Sequence, residues 1–469
     1  MPEARTLIRG ACILSVDPTV GDLDRGDILI EGARIAAVGP DLGPVDAEIV
    51  DAGAMIAIPG FVDTHRHTWQ SCLRGLSVDW THRHYYAGTR GVMGPLYRPE
   101  DVYAGNLLGI CEALDSGITT LFDWSHNMNS PEHADAAYEG LRDSGSRAVL
   151  GYGSSNASWL PISDVPHPED ARRMRAEHFA SNDGLVTMAM AIRGPEFTTW
   201  DVTVSDWQLA RDLDLPISVH VGAGEFGRGR SVGLLHRHDM LGPDVTHIHC
   251  NTLSDEELVM ICDTGGTTSV SPDVEMQMEM GYPATGRLMA TGIRPSLSID
   301  VPTAVAGNMF GLMRSALEVE RLLVNEAAIA RGELIEVPTI TARDMLEFAT
   351  LQGARACGLG DRVGSITPGK DADIVLIRTD DLAMTPLNYP VGQVVMYAHP
   401  GLVDTVYVAG RCVKRAGKLR SVDVDRVRRV ATDSCDYLRK TAGIPVGEWI
   451  PDVYEVQNAE QAGAPASAE

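Results

Sequence analysis

Lysine is scarce in this sequence. Of 469 residues only four are lysines, Lys370, Lys414, Lys418 and Lys440, and all lie in the last quarter of the chain. Lysine and arginine together number 39 against 64 aspartates and glutamates, a net charge of −25. That sign argues against nucleic acid or an anionic membrane surface as partner, and fits a neutral or cationic small substrate. The eight cysteines (Cys12, Cys72, Cys111, Cys250, Cys262, Cys357, Cys412, Cys435) form no Cys-x-x-Cys pair. Many have apolar neighbours, so they read as small core residues in a reducing compartment. No apolar run approaches the roughly 18 residues of a membrane span. Met1-Pro2-Glu3-Ala4-Arg5 leads straight into strand-like sequence, without the apolar core of a signal peptide. These absences predict a soluble, cytoplasmic protein.

At roughly 150 residues per domain the length predicts about three units, or two if one is an α/β barrel of roughly 250 residues or more. Residues 6 to 58 read as short strands with turns: Thr6 to Val16, Asp27 to Ile30 and Arg34 to Val38. The pattern returns at Ala372 to Ile377, Val403 to Val408 and Gly410 to Val413. The middle alternates apolar runs with amphipathic segments. After the first strand come Gly117 to Asp123, Arg147 to Tyr152, Leu185 to Ile192, Pro216 to Val221, Val245 to Cys250, Thr267 to Val270 and Arg294 to Ile299. Eight strands with helices between most of them predict a closed parallel barrel. The expected fold is therefore α/β: a (β/α)8 TIM-type barrel over 59–362, beside a small discontinuous β-sandwich from 1–58 and 363–420. Residues 421–469 should hold a helix (Val422 to Lys440) and a poorly ordered Ala/Gly/Glu/Gln tail.

One stretch organises the rest. Apolar residues run from Ala54 to Val62, interrupted only by Pro59-Gly60, and lead into Asp63-Thr64-His65-Arg66-His67. Residues two apart on a strand face the same side, so His65 and His67 project together, half of a metal site. In an α/β barrel the active site is built at the carboxyl ends of the strands. The fifth strand ends in His220, the sixth in His247 or His249, and the eighth in Asp300. Imidazoles and a carboxylate on one rim suit one divalent ion, Zn²⁺ or Fe²⁺.

Read in order, these segments closely resemble the amidohydrolase superfamily, in its branch of cytosine, S-adenosylhomocysteine and guanine-type deaminases and triazine hydrolases. The opening Pro59 to His67, Leu73-Arg74-Gly75, Gly117-Ile118-Thr119-Thr120, His249-Cys250 before Leu253 to Glu257, and Gly364 to Val375 carry the likeness over nearly the whole chain. The resemblance implies that His65, His67, His220 and Asp300 bind the metal, and that His249 hydrogen-bonds the attacking water or the substrate. It implies Asp300 as both ligand and proton acceptor. It also implies that two-metal members bridge their ions with a carboxylated barrel lysine. The first lysine here, Lys370, lies past the barrel, so a mononuclear site is expected; Glu196 is the one carboxylate placed to bridge instead. Relatives of this kind self-associate, which implies a homo-oligomer.

One position departs from the pattern. Deaminases of the branch carry a glutamate three residues after the fifth-strand histidine, where this chain has Ala223. Glu225 and Glu275 are the candidates to replace it as proton carrier. The leading expectation is hydrolytic deamination of an N-heterocyclic small molecule, a purine, pyrimidine or triazine. The alternative is hydrolysis of a ring amide or loss of a chloro or alkylamino group on the same scaffold. A catalytically dead relative is disfavoured, because every ligand position is filled. Gln70 and His126 are candidates to face the substrate. His82-Arg83-His84 repeats the His-x-His spelling but follows no apolar strand. It reads as part of a mobile loop over the barrel mouth, with Trp80, Tyr85 and Tyr86 closing on a ring. Met276, Met278 and Met280 could line the same mouth.

Overall fold

The computed structural model describes residues 4–156 and 162–453, apart from the side chains of residues 225, 226 and 228; most of the expected flexible tail lies outside the described residues. Eight parallel strands form one sheet in sequence order. They are β1 (Phe61–Arg66), β2 (Ile118–Ser125), β3 (Arg147–Tyr152), β4 (Val186–Ile192), β5 (Ile217–Val221), β6 (Val245–His249), β7 (Thr267–Val270) and β8 (Ser296–Leu297). The barrel closes where β8 runs on to meet β1. The Asp300 amide donates to the His65 carbonyl at 2.8 Å and the His67 amide to the Asp300 carbonyl at 2.8 Å. The seam of the barrel is thus stitched through candidate site residues.

The floor of the barrel is apolar. Val62, Phe122, Val149 and Ala191 meet Ala354, Cys357 and Val363 from the segment after the barrel. Above them lies a layer of hydroxyls. Thr64 Oγ1 is 2.7 Å from Ser269 Oγ and 2.9 Å from Ser296 Oγ, and Ser298 Oγ is 2.8 Å from both Ser269 and Ser271 Oγ. Every hydroxyl in this layer has a partner, so it is buried without penalty.

The apolar run that opens the site serves two sheets. Met55–Pro59 is a strand of the second sheet and β1 belongs to the barrel, with Gly60 between. A Cβ at Gly60 would lie 2.0 Å from Thr119 Oγ1 on β2, so the crossing admits only glycine. The second sheet has nine strands from both chain ends. Ile374–Arg378 pairs antiparallel with Met55–Pro59, joining the two ends, and Ile8, Ile28, Ile30, Ile374 and Leu376 form its own core. At the joint with the barrel, Arg147 of β3 donates to Asp371 at 2.8 Å and to Asp373 at 3.1 Å, all buried. Among the described residues no helix is long and apolar enough to cross a membrane.

The helix Pro99–Asp115 lies on the short turn Thr68–Leu73 that follows β1. A Cβ at Gly105 would sit 2.1 Å from the Trp69 carbonyl oxygen. Gly105→Ala is therefore expected to cost about 1–3 kcal/mol by forcing the helix off the turn, read as a lower thermal midpoint. The Trp69 indole donates to His126 Nδ1 at 3.0 Å, so the same change should loosen the site above it.

Candidate metal centre and active site

His65 and His67 converge from the end of β1. The pairing of β1 with β2 shifts register between Asp63 and Arg66. Val62 and Thr64 already face the interior, and this irregularity lets His65 and His67 face it as well. Their Nε2 atoms lie 3.1 Å and 3.2 Å from Asp300 Oδ1. His67 Nδ1 donates to the Trp124 carbonyl at 2.9 Å, which fixes the tautomer and leaves Nε2 its lone pair. His220, from β5, stands with its ring centroid 4.8 Å from that of His65 and 4.3 Å from that of Trp124.

His249 reaches the same point against the ordinary alternation of β6. His247 turns outward and its Nδ1 donates to the Thr267 carbonyl at 3.2 Å. Regular alternation would send His249 the same way. Its φ of 75°, in the left-handed region that non-glycine residues seldom adopt, turns it inward instead. Cys250 and Asp300 share this strained conformation, with φ of 62° and 63°. His249 Nε2 lies 3.8 Å from Asp300 Oδ2, while its Nδ1 pairs with Glu275 Oε1 at 3.2 Å.

Potential ligand atoms of His65, His67 and Asp300 all lie within 4.8 Å of one another, as do those of His65, His220 and His249. Four ligands about 2.0–2.1 Å from one zinc ion stand ~3.3 Å apart, close to the spacings of 3.1 Å and 3.2 Å found here. The charge states agree. Burial holds the His65 pKa down to about 3, and burial with the neighbouring imidazoles holds His220 well below its usual value. Burial pushes Asp300 up, but the adjacent His65 and His67 side chains outweigh it and hold the carboxyl well below the usual range. Neutral imidazoles around an ionised carboxylate are what a cation requires.

The other expected site residues divide. His126 lines the cavity, its ring stacked on His67 at 3.9 Å between centroids. Burial, then the nearby Arg90, holds its pKa well below normal. His82, Tyr85 and Tyr86 also line the cavity, from helical turns rather than an irregular loop. Trp80 does not. Its indole is buried, donates to the Trp449 carbonyl at 2.7 Å and packs against the Trp449 ring. Gln70 sits behind the wall and donates to the Tyr85 hydroxyl at 2.6 Å. Met278 and Met280 face the cavity, whereas Met276 is exposed. The Glu225 side chain lies outside the described residues. Glu275 is fully buried behind His249, where it also accepts the Ser271 amide at 2.7 Å, and it does not line the cavity. Trp124, which orients His67 and packs on His220, had no motif to announce it.

Residues 56–413 match the profile of the Amidohydrolase family. The chain belongs to that family. It is therefore a hydrolase, and the carbon–nitrogen bond is the family's usual point of attack. The amidohydrolase is 30% identical over 450 residues to the 5'-deoxyadenosine deaminase of Methanothermobacter thermautotrophicus, covering 92% of this chain and 98% of the relative. It is 27% identical over 424 residues to the 5-methylthioadenosine/S-adenosylhomocysteine deaminase of Symbiobacterium thermophilum, covering 87% and 93%. Among solved structures it resembles an adenosine deaminase from Xanthomonas campestris with bound zinc, at a TM-score of 0.81, 23% identity and 94% and 100% coverage. An atrazine chlorohydrolase from Arthrobacter aurescens complexed with zinc gives a TM-score of 0.80, 20% identity and 92% and 100% coverage. Both share its barrel and second sheet.

Glu196, just past β4, is held on one side. Its Oε1 accepts the Gly222 amide at 2.9 Å and the Ser231 hydroxyl at 2.6 Å, while Oε2 is buried without a hydrogen-bond partner. Burial raises its pKa to about 7. The folded protein thus holds this proton more tightly than an unfolded chain, where glutamate titrates near about 4.3. Stability from this group is fully present below the unfolded value and is lost as pH rises through about 7. Glu196→Gln should remove a fall on the order of 2 kcal/mol between about pH 5 and 8, measured by denaturant unfolding across that range.

Proposed function

We propose that this amidohydrolase holds one divalent ion, Zn²⁺ in preference to Fe²⁺, on His65, His67, His220 and Asp300, and uses it to deaminate an N-heterocyclic small molecule. The observation that carries the reading is the convergence of His65 and His67 on Asp300 at the spacing of ligands around one ion, with His220 grouped on His65 from the other side. When bound, the ion supplies Lewis acidity and lowers the pKa of water from about 15.7 toward roughly 7. Asp300 keeps Oδ2 on the side of His249, where it accepts the proton of the attacking water. His249, held by Glu275, presents Nε2 to the ring atom under attack. Water adds to the ring carbon, the exocyclic amine leaves as ammonia, and the ring is left with a carbonyl.

Ala223 favours a second reading. It lines the cavity where the branch has its glutamate, and Asp300 is the sole carboxylate-bearing residue among the described lining residues. Without that proton carrier, the same attack can expel a better leaving group or open a ring amide. The test is metal content after reconstitution with zinc or iron, followed by product analysis on purines, pyrimidines and triazines. Ammonia supports deamination, another released group supports the second reading, and a protein that binds no metal removes both.

A further inference from the structure

On the deamination reading above, we propose that Tyr85 is a further catalytic residue, whose hydroxyl points its proton into the cavity and hydrogen-bonds the ring nitrogen beside the carbon under attack. The assignment follows from the donors and acceptors around that hydroxyl. Trp69 Nε1 carries a hydrogen and has no lone pair to offer, and it lies 3.0 Å from His126 Nδ1. Nδ1 therefore accepts, and the single ring proton of His126 sits on Nε2. That Nε2 stands 3.5 Å from the Tyr85 hydroxyl oxygen and, being protonated, cannot accept from it. From the other side the Gln70 amide nitrogen donates to the same oxygen at 2.6 Å. These are the hydroxyl's two partners among the described residues, and both are donors. Neither can take the Tyr85 proton, which is left to the cavity that Tyr85 lines.

The surroundings favour this use of the proton. Two donors on one phenol oxygen draw electron density from it and strengthen the hydrogen bond it makes in turn. The donors are themselves held in place. His126 is fixed by the Trp69 indole, by Arg90 Nη1 on its carbonyl at 2.7 Å, and by stacking on His67 at 3.9 Å between centroids. Ala223 belongs to the same buried cluster as the Tyr85 ring. The hydroxyl thus serves a site whose branch relatives carry a glutamate at the position of Ala223. When water adds to the ring carbon, the π pair of the adjoining C=N bond moves onto the nitrogen. The Tyr85 hydrogen bond stabilises the charge that gathers there, and the phenol keeps its proton throughout.

The experiment uses the zinc-loaded full chain, as wild type and with Tyr85→Phe, Gln70→Glu or both. Adenine has a ring nitrogen beside its amino-bearing carbon, and 1-deazaadenine has C–H there. Calorimetric titration gives Kd for each ring whether or not turnover occurs, and ammonia release from adenine gives kcat and KM. Wild type should bind adenine about tenfold more tightly than 1-deazaadenine, and Tyr85→Phe should erase that preference. Its kcat should fall roughly 10²-fold with a smaller change in KM, because the bond strengthens as charge develops. Gln70→Glu puts an acceptor where the donor stood. It should draw the Tyr85 proton away from the cavity and give the same losses, and the double variant should add nothing to them. Phenylalanine keeps the packing of the ring, so a purely structural role predicts unchanged selectivity and additive losses. A preference for adenine that survives Tyr85→Phe, or a Gln70→Glu variant that behaves as wild type, overturns the inference and leaves deamination standing. The expected Kd pattern with no ammonia supports the Tyr85 contact and removes the deamination reading. Equal binding of the two rings by wild type, or binding of neither, overturns the inference.

Discussion

Replacing His220 by alanine should lower kcat/KM by roughly 10⁴-fold, about 5.5 kcal/mol of barrier, and strip most of the bound metal. His220 comes from β5, across the barrel from the β1 pair, and its ring centroid lies 5.7 Å from that of His67 and 4.8 Å from that of His65. His249 also groups with His65 and His220, but in the proposed mechanism its Nε2 serves the substrate while Nδ1 is paired with Glu275. Trp124 packs on His220, so truncation leaves a void, but a small one that should cost about 1–3 kcal/mol of stability. The variant should therefore fold. Metal analysis and steady-state kinetics on folded protein check the prediction, and full metal occupancy with near wild-type turnover would remove His220 from the ligand set.

The parts of this site that could be read from the chain are those fixed by local rules. Two histidines two residues apart at the end of an apolar run face one way on any strand. His220 and Asp300 end apolar runs in a barrel whose chemistry sits at strand ends. Where a rule ran out, the outcome turned on backbone detail or distant packing. Alternation could not choose between His247 and His249, because the choice rests on a left-handed φ at His249 that no local motif encodes. Trp80 looked like a lid residue because an aromatic near a site has no visible direction. Its indole is claimed by the Trp449 carbonyl, 369 residues further along the chain. The eight barrel strands were legible because each carries its own apolar run between turn signals, and because parallel strands demand helical crossovers.

Glu275 shows how far position and role can part, and it carries the last prediction. From the chain it was a carboxylate after the seventh strand, a candidate to hand a proton to the substrate. In the fold it opens the short helix Pro272–Gln277, fully buried, and grips His249 Nδ1 from behind. Burial works against a charged His249, but the hydrogen bond it donates to Glu275 and the charge of Asp300 outweigh it and raise its pKa. Glu275 is thus a positioning residue: it sets the tautomer of His249 and keeps Nε2 aimed at the reacting atom. Glu275→Leu should leave the Ser271 amide and His249 Nδ1 buried without partners, costing about 1–3 kcal/mol of stability and lowering kcat by about 10²–10³-fold. Glu275→Gln keeps an oxygen that can accept from both groups but loses the charge, so its kcat should fall by only about tenfold. KM and metal content should stay near wild type in both variants, because Glu275 touches neither the cavity nor the four proposed ligands. A purely structural role predicts the opposite pattern, with loss of metal and of folded protein but an unchanged kcat per metal-loaded site. Measuring kcat per bound ion in the Leu and Gln variants decides between the two.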